Sequence, residues 1–215
     1  ELEPGTCEAV SGDVDAGTKL GTLLRGNLFV TAVDEFVPVL RFHDLFRDFL
    51  LADLERREPA SIPALHEAAA RAERSETLAI HHFLRAGAWD EAIARIARCG
   101  DELLRRGAIA TVERWLEQIP AQVRAEDPEV AYLHGSCGWL RWDWDRARRG
   151  LRAAVRGMVR PEQLPRRIGA TFQLVDALAS SGERDEARVL LDEVARMPLD
   201  ARGRVLPWAE SLSIR

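Results

Sequence analysis

The apolar positions of residues 42–54 recur with the period of an α-helix. They follow the spacing i, i+3, i+4, i+7, i+8 and i+12, which places them on one face. These positions are Phe42, Leu45, Phe46, Phe49, Leu50 and Leu54. The pattern predicts an amphipathic helix that runs from His43 to about Arg57 and ends before Pro59.

Two short segments before this helix have the period of β-strands. Residues 28–33 and 37–42 alternate between apolar and polar side chains, and a turn is expected between them. Residues 5–10 are typical of the end of a helix, and a further helix is predicted to end near Arg25. The N-terminal part is therefore predicted to contain two helices, a hairpin and a third helix.

From Ser61 onward the helical period continues and strand-like alternation is absent. Three similar phrases end in the pattern Asp-x-Ala, at Ala92, Ala147 and Ala187. The alanines are 55 and 40 residues apart (147 − 92 and 187 − 147), which suits stacked helix pairs. The pattern favours an all-α solenoid, in which each pair buries its apolar stripe against the next. It resembles tetratricopeptide (TPR) repeats, although the full repeat consensus is not met.

Residues 18–54 combine three further features. A leucine-rich segment ends in Asn27-Leu28-Phe29, the predicted hairpin follows, and the next helix opens with Phe42-His43-Asp44-Leu45-Phe46. Together they resemble the winged-helix domain of STAND ATPases, most closely that of the large LuxR-type transcription activators of the maltose-regulator kind. The resemblance implies a mainly α fold. Residues 1–58 would form a winged-helix arm, incomplete at its N-terminal side, and residues 59–215 would form TPR-like helical repeats.

His43 is predicted to lie at a helix entrance, where unpaired N–H groups and the positive end of the helix dipole favour an anion. From the residues alone, His43 is either a phosphate donor or simply a polar first-turn residue, while Asp44 stabilises the helix start. The resemblance implies the first role. In related STAND proteins this histidine reaches the β-phosphate of bound ADP and holds the resting state. The rest of that nucleotide site would lie outside this chain.

Catalytic and metal chemistry are not predicted for this chain. It has no glycine-rich loop followed by Lys-Ser or Lys-Thr, so ATP hydrolysis by the chain alone is not expected. The three cysteines, Cys7, Cys99 and Cys137, are far apart in the sequence. The adjacent residues His81 and His82 would point about 100° apart on a helix, so no metal site is predicted. No cofactor is expected for this segment, whereas the resemblance implies ADP and ATP for the full-length protein.

Composition limits the partners of the chain. Of its 215 residues 47% are hydrophobic, which permits a core, and the net charge of −5 does not favour direct nucleic-acid binding. No apolar run reaches the ~18 residues of a membrane span, and no signal peptide is recognisable, so a cytoplasmic protein is expected. The chain begins with Glu1, and its methionines are Met158 and Met197. We therefore expect it to be a fragment of a longer protein.

The segment Gly135-Ser136-Cys137-Gly138-Trp139 superficially resembles the nucleophile region of a thiol protease. Its spacing does not fit that motif, and it lies inside a helical pattern from Val130 to Leu140. Small residues at a close crossing of two helices are the preferred interpretation.

A line of arginines is the most unusual charge feature. Its members are Arg149, Arg152, Arg156 and Arg160, at steps of 3, 4 and 4 residues. This spacing predicts one basic line along a helix whose opposite face is apolar. The preferred interpretation is a solvated face that pairs with acids of the adjacent helix, such as Asp185, Glu186 or Glu193. The alternative is a site for an anionic ligand or partner.

Trp142 and Trp144 lie at the turn before this helix. Core packing between repeats is the preferred interpretation. Alternatively, the two indoles and the arginine line form an effector surface for a ligand with a flat or sugar-like body and an anionic or polyhydroxyl edge. The two interpretations differ in the solvent exposure that they require of the indoles.

Two functional hypotheses follow. The leading one is a regulatory fragment of a STAND-type, signal-responsive transcription activator, which contacts the nucleotide-binding domain of the same protein and senses an inducer or a regulatory protein. The alternative is a free-standing helical-repeat adaptor with no nucleotide coupling, in which His43 is structural. An enzyme is a distant third.

Overall fold

The computed structural model describes residues 2–26, 29–33 and 39–196. Contacts divide the chain into two compact units, residues 1–92 and residues 93–215. The two units are defined by their internal contacts alone. They do not test the predicted domain boundary near Pro59, which stays a prediction. The motif residues Asn27 and Leu28, Val37 of the predicted second strand, and Met197 lie outside the described residues.

The first unit opens with two helices that are linked by a left-handed glycine. Gly12 has φ 68°, which ends the first helix after Ser11 as the sequence predicted. The helices of this unit are α1 (Pro4–Ser11), α2 (Ala16–Arg25), α3 (Asp44–Arg57), α4 (Ile62–Ala72) and α5 (Glu76–Ala86). A single 3-10 turn, Pro59–Ser61, joins α3 to α4. Helix α1 packs against both α2 and α4, and α4 packs against α5.

The predicted hairpin is present as two short antiparallel strands, β1 (Val30–Ala32) and β2 (Leu40–Phe42). Leu2 adds an isolated bridge to Leu40, with N···O distances of 2.6 and 3.0 Å. The side chains of Leu20, Val30 and Leu40 form a small buried cluster beneath the hairpin. The hairpin is therefore anchored both by strand pairing and by α2.

The second unit is built from successive helices, and those from α7 to α12 each pack on the next helix in sequence or on the one after it. The first of them contains the point at which the two units divide. The helices are α6 (Trp89–Arg105), α7 (Ile109–Gln118), α8 (Ala121–Glu126), α9 (Pro128–Leu140), α10 (Trp144–Gly157), α11 (Leu164–Ser180) and α12 (Arg184–Ala195). A 3-10 turn, Pro161–Gln163, precedes α11. Within the described residues beyond 60 there is no strand, and the predicted mainly α fold is confirmed.

The three similar phrases form turns with the same local geometry. Five residues before each alanine, the chain adopts a left-handed conformation, with φ 73° at Gly87, 63° at Trp142 and 84° at Gly182. Glycine adopts this conformation without strain, whereas a residue with a Cβ pays roughly 1–2 kcal/mol. The shared geometry supports the interpretation of these phrases as repeated turns, and Trp142 is the costly member of the set.

Helices α9 and α10 cross at glycine contacts, which confirms the interpretation of residues 135–139. A Cβ at Gly135 would lie 2.6 Å from the backbone N of Leu151, and a Cβ at Gly150 would lie 2.7 Å from the Cα of Gly135. Cys137, on α9 between Gly135 and Gly138, is buried, and burial raises the pKa of its thiol to about 12. A thiol with so high a pKa is not an activated nucleophile.

Polar contacts, some half-buried and one fully buried, connect α11 to the helices before it. The Arg166 guanidinium donates to the carbonyl oxygen of Ala97 and to Asp101 Oδ2, both at 2.8 Å, and it also pairs with Glu129. Deeper in the unit, Ser136 Oγ donates to Gln173 Oε1 at 2.8 Å. In the part of the chain that the structure describes, no helix combines the length and apolar character needed to cross a membrane.

Candidate functional site

His43 lies at the N-terminal cap of α3, as its sequence position predicted. Its backbone N donates to the carbonyl oxygen of Phe29 at 2.8 Å, which joins the helix entrance to the start of the hairpin. The side chain is exposed and makes no capping hydrogen bond. Over the described residues, no hydrogen bond or ion pair engages its imidazole. The ring is therefore available to a ligand or to another part of the protein.

The charged residues beside His43 pair with one another. Arg47 lies 3.0 Å from Asp44 and 2.8 Å from Asp48, between guanidinium nitrogens and carboxylate oxygens. These pairs are solvent-exposed and therefore contribute little to stability. They balance the charge of the first turn of α3 but leave its open N–H groups unoccupied by a capping side chain.

The apolar face of α3 is not covered by the described residues. The ring of Phe46 stacks on those of Phe29 and Phe49, with centroids 4.9 and 6.3 Å apart. It meets the ring of Phe42, at the end of β2, edge to face with centroids 5.5 Å apart. We call these four residues the aromatic strip. Leu45 beside them is 76% exposed. The sequence predicted that these apolar residues share one face of α3, but not that this face would be exposed to solvent.

The arginine line is shorter than predicted. Helix α10 ends at Gly157, so Arg149, Arg152 and Arg156 lie on it, while Arg160 has an extended backbone with φ −78° and ψ 144°. The prediction of four arginines on one helix is therefore wrong for Arg160. Pro161 disfavours helical geometry in the residue before it, and this signal was present in the sequence.

The arginines differ in their partners. Arg152 contacts Glu186 of α12 through two hydrogen bonds of 2.9 and 2.7 Å, and Glu186 is one of the acids expected. Arg160 lies 3.7 Å from Glu162. Within the described ranges, Arg149 and Arg156 form no ion pair. Within the described ranges, two arginines of the line therefore have acidic partners and two have none.

Trp142 and Trp144 contact each other edge to face, with ring centroids 5.4 Å apart. Trp142 is 69% exposed, whereas Trp144 is half-buried. Between them, Asp143 caps α10 by accepting a hydrogen bond from the backbone N of Arg146 at 3.0 Å. Trp142 does not serve as core, so the burial interpretation fits Trp144 better than Trp142. The effector role of this surface stays a prediction.

Sequence reasoning missed Arg124 and His134. Both line a cavity beside Arg149, and the three residues come from three different helices, so no spacing in the sequence connects them. It also missed the contact of His82 with His66, whose Nδ1 atoms are 2.9 Å apart. In the described part of the chain, no group of three or more potential ligands is placed to hold a metal ion.

The hairpin followed by α3, and the repeated helical turns after it, define a winged-helix unit joined to a helical-repeat region. Residues 1–62 match the family model of the MalT winged helix domain. The chain is 27% identical over 129 residues to the HTH-type transcriptional regulator MalT of Vibrio parahaemolyticus. It is 25% identical over 197 residues to that of Yersinia enterocolitica and 29% identical over 136 residues to that of Yersinia pestis.

These matches cover different shares of the proteins. They include 59%, 89% and 61% of this chain, respectively, but only 14%, 19% and 14% of the relatives, so the chain spans less than a fifth of their length. No solved structure matches the chain significantly. The resemblance to MalT-like regulators of the LuxR type is confirmed.

Proposed function

We propose that this chain is the winged-helix arm and first helical repeats of a STAND-type, signal-responsive transcription regulator, in which His43 couples the arm to a bound nucleotide. The observation that carries the proposal is the exposed, unengaged imidazole at the entrance of α3, within the segment that matches the winged-helix family model. The nucleotide, ADP or ATP, would be held by another part of the same polypeptide.

The chemistry of the helix entrance suits a phosphate. A neutral imidazole donates one N–H to a phosphate oxygen, and the first turn of α3 adds open backbone N–H groups and the positive end of its dipole. A hydrogen bond to a charged group contributes about 1.5–3 kcal/mol, which is a factor of about 10–150 in affinity. Loss of His43 is therefore expected to weaken nucleotide retention without abolishing it.

The aromatic strip suits the partner that this role requires. Phe29 and Phe49 are each 61% exposed and lie near the helix entrance that carries His43. Exposed apolar surface of this kind marks contact sites. We infer that the strip packs on the nucleotide-binding domain of the same protein in the resting state, while an inducer or a regulatory protein acts on the helical repeats.

The experiment is the substitution His43→Ala in the full-length protein. ADP retention should fall by about 10-fold or more, and basal transcription activation should rise because the resting state is released. His81→Ala is the matched control, since His81 is also an exposed histidine but lies within α5 and not at the N-terminus of a helix. It should change neither quantity.

Stability separates this role from a structural one. The His43→Ala form of the 215-residue chain should unfold within about 0.5 kcal/mol of the unsubstituted chain, as expected for an exposed side chain. Unchanged ADP affinity with an intact fold would remove the phosphate role and favour the adaptor hypothesis. A large loss of stability would instead make His43 structural.

A further inference from the structure

A cavity of about 380 Å³ opens between α8, α9 and α10 in the second unit. Its walls are mostly small and apolar, and they include Ala121, Ala131 and Gly150. The volume lies within the range of about 300–1,000 Å³ that small-molecule sites occupy. The close crossing of α9 and α10 at Gly150 shapes one side of this cavity, which we call the alanine groove.

The ionisable residues that line the alanine groove are all basic. They are Arg124 on α8, His134 on α9 and Arg149 on α10, and none of the described residues lining the groove is a carboxylate. Arg124 and His134 are half-buried, and Arg149 is exposed at the rim. Over the described ranges, neither arginine forms an ion pair. Two guanidinium groups thus face a shared cavity whose described lining contains no carboxylate, and neither guanidinium is ion-paired within the described ranges.

Neighbouring arginines show that unpaired guanidinium groups are not the rule in this unit. Arg141 and Arg146 share Glu113, each with a nitrogen–oxygen distance of 2.7 Å, and Arg152 pairs with Glu186. Four half-buried arginines of this unit have carboxylate partners, namely Arg146, Arg148, Arg152 and Arg166. Half-buried Arg124 has none within the described ranges, and it lies where a cavity is available.

His134 reports the electrostatic character of the groove. Burial lowers the pKa of His134, and the positive charges of Arg146, Arg124 and Arg149 lower it further, while Glu113 acts in the opposite direction. The ring is therefore neutral near neutral pH and offers one N–H donor. A bound anion would oppose the surrounding positive charge and raise this pKa.

An adjoining cavity of about 280 Å³ shares the three basic residues of the alanine groove, Arg124, His134 and Arg149. Its lining also contains Arg146 and three carboxylates, Glu113, Glu117 and Asp143. Glu113 is held by two arginines, and Asp143 accepts the capping hydrogen bond of α10. No carboxylate is among the described residues that line the alanine groove, so of the two cavities it is the more favourable one for a negative group.

We propose that the alanine groove binds a small organic anion, whose phosphate or carboxylate group is held by Arg124 and Arg149 and accepts a hydrogen bond from His134. A guanidinium group can donate two parallel hydrogen bonds to a pair of oxygens of either a phosphate or a carboxylate, and the small apolar wall suits the body of the ligand. The proposal concerns binding by the helical repeats and does not rest on the nucleotide role of His43.

The test is an NMR titration of the histidine Cε1–H signals in the 215-residue chain. The probes are phenyl phosphate and benzoate, which differ in their oxyanion, with inorganic phosphate and neutral benzyl alcohol for comparison. The signal of His134 is assigned by its loss in His134→Gln. One of the two organic anions should shift it saturably and raise its pKa, whereas benzyl alcohol should not.

Substitutions then test the two arginines. Arg124→Gln and Arg149→Gln should each weaken binding about 10-fold or more, because each removes a charged hydrogen-bond donor. Arg156→Gln is the matched control, since Arg156 is also exposed and unpaired on α10 but does not line the groove. Circular dichroism and thermal unfolding verify that the variants remain folded.

Three results would overturn the proposal. The first is the absence of a saturable shift of His134 with either organic anion. The second is an equal loss of affinity in Arg156→Gln, which would indicate general charge attraction. The third is binding of an acidic peptide such as polyglutamate without binding of either small anion, which would make this face a protein contact.

Discussion

The substitution Gly150→Ala tests the close crossing of α9 and α10. The added Cβ would lie 2.7 Å from both the Cα and the N of Gly135 and 2.8 Å from the carbonyl oxygen of Ala131. All three are backbone atoms of α9, so no side-chain rotation relieves the overlap. The two helices must move apart, and the buried contacts of Leu151 and Ala147 loosen with them.

The expected cost follows from two opposing terms. Adding a methyl group to a packed core costs typically 1–3 kcal/mol, and contact with backbone atoms favours the upper end. Alanine is the better helix former and returns about 1 kcal/mol at most. We expect a net loss of about 2 kcal/mol, or roughly a 30-fold change in the ratio of folded to unfolded protein.

Urea unfolding of the 215-residue chain, followed by tryptophan fluorescence, measures this loss; four of the six tryptophans, Trp115, Trp139, Trp142 and Trp144, lie in the described part of the second unit. Gly169→Ala is the matched control: Gly169 lies within α11, and no atom would lie within 4 Å of its added Cβ. The control should be neutral or stabilised by up to about 1 kcal/mol. If Gly150→Ala is as stable as the control, the crossing is not close packed and the reasoning fails.

Three further predictions concern stability. Burial chiefly lowers the pKa values of His66 and His82, so on acidification the unfolded chain binds protons before the folded chain does. The free energy of unfolding should therefore fall as the pH is lowered from about 7 to about 5. If His82→Gln leaves the pH dependence of this free energy unchanged in urea unfolding, the prediction is contradicted. Glu113→Gln leaves Arg146 without its counter-charge and should cost about 1–3 kcal/mol in urea unfolding. Trp142→Gly removes the strain of a left-handed residue that carries a Cβ, so the melting temperature should rise. A lower melting temperature would contradict this prediction.

Local features of the sequence predicted the elements of this fold. The spacing of the apolar residues before Pro59 located α3, and the helical pattern with small residues at 135–139 located α9 and its close crossing. These predictions succeeded because helix period, glycine and proline act within a few residues of the chain. The same local rule, applied to Pro161, would have ended the arginine line before Arg160.

For the candidate sites, too, the sequence predicted local features but not contacts between distant segments. The sequence placed His43 at a helix entrance, since capping depends on adjacent residues. It could not show that the aromatic strip stays uncovered in this segment, because burial depends on what packs against a face and not on the face itself.

Only the tertiary structure decided which charges meet. Arg152 finds Glu186 across 34 residues of sequence, whereas Arg149, three residues earlier, faces a cavity with Arg124 and His134. Both arginines lie on one helix, and their spacing in the sequence does not distinguish them. The angle at which neighbouring helices cross sets whether a guanidinium reaches a carboxylate or an open groove, and that angle is fixed by packing between distant segments.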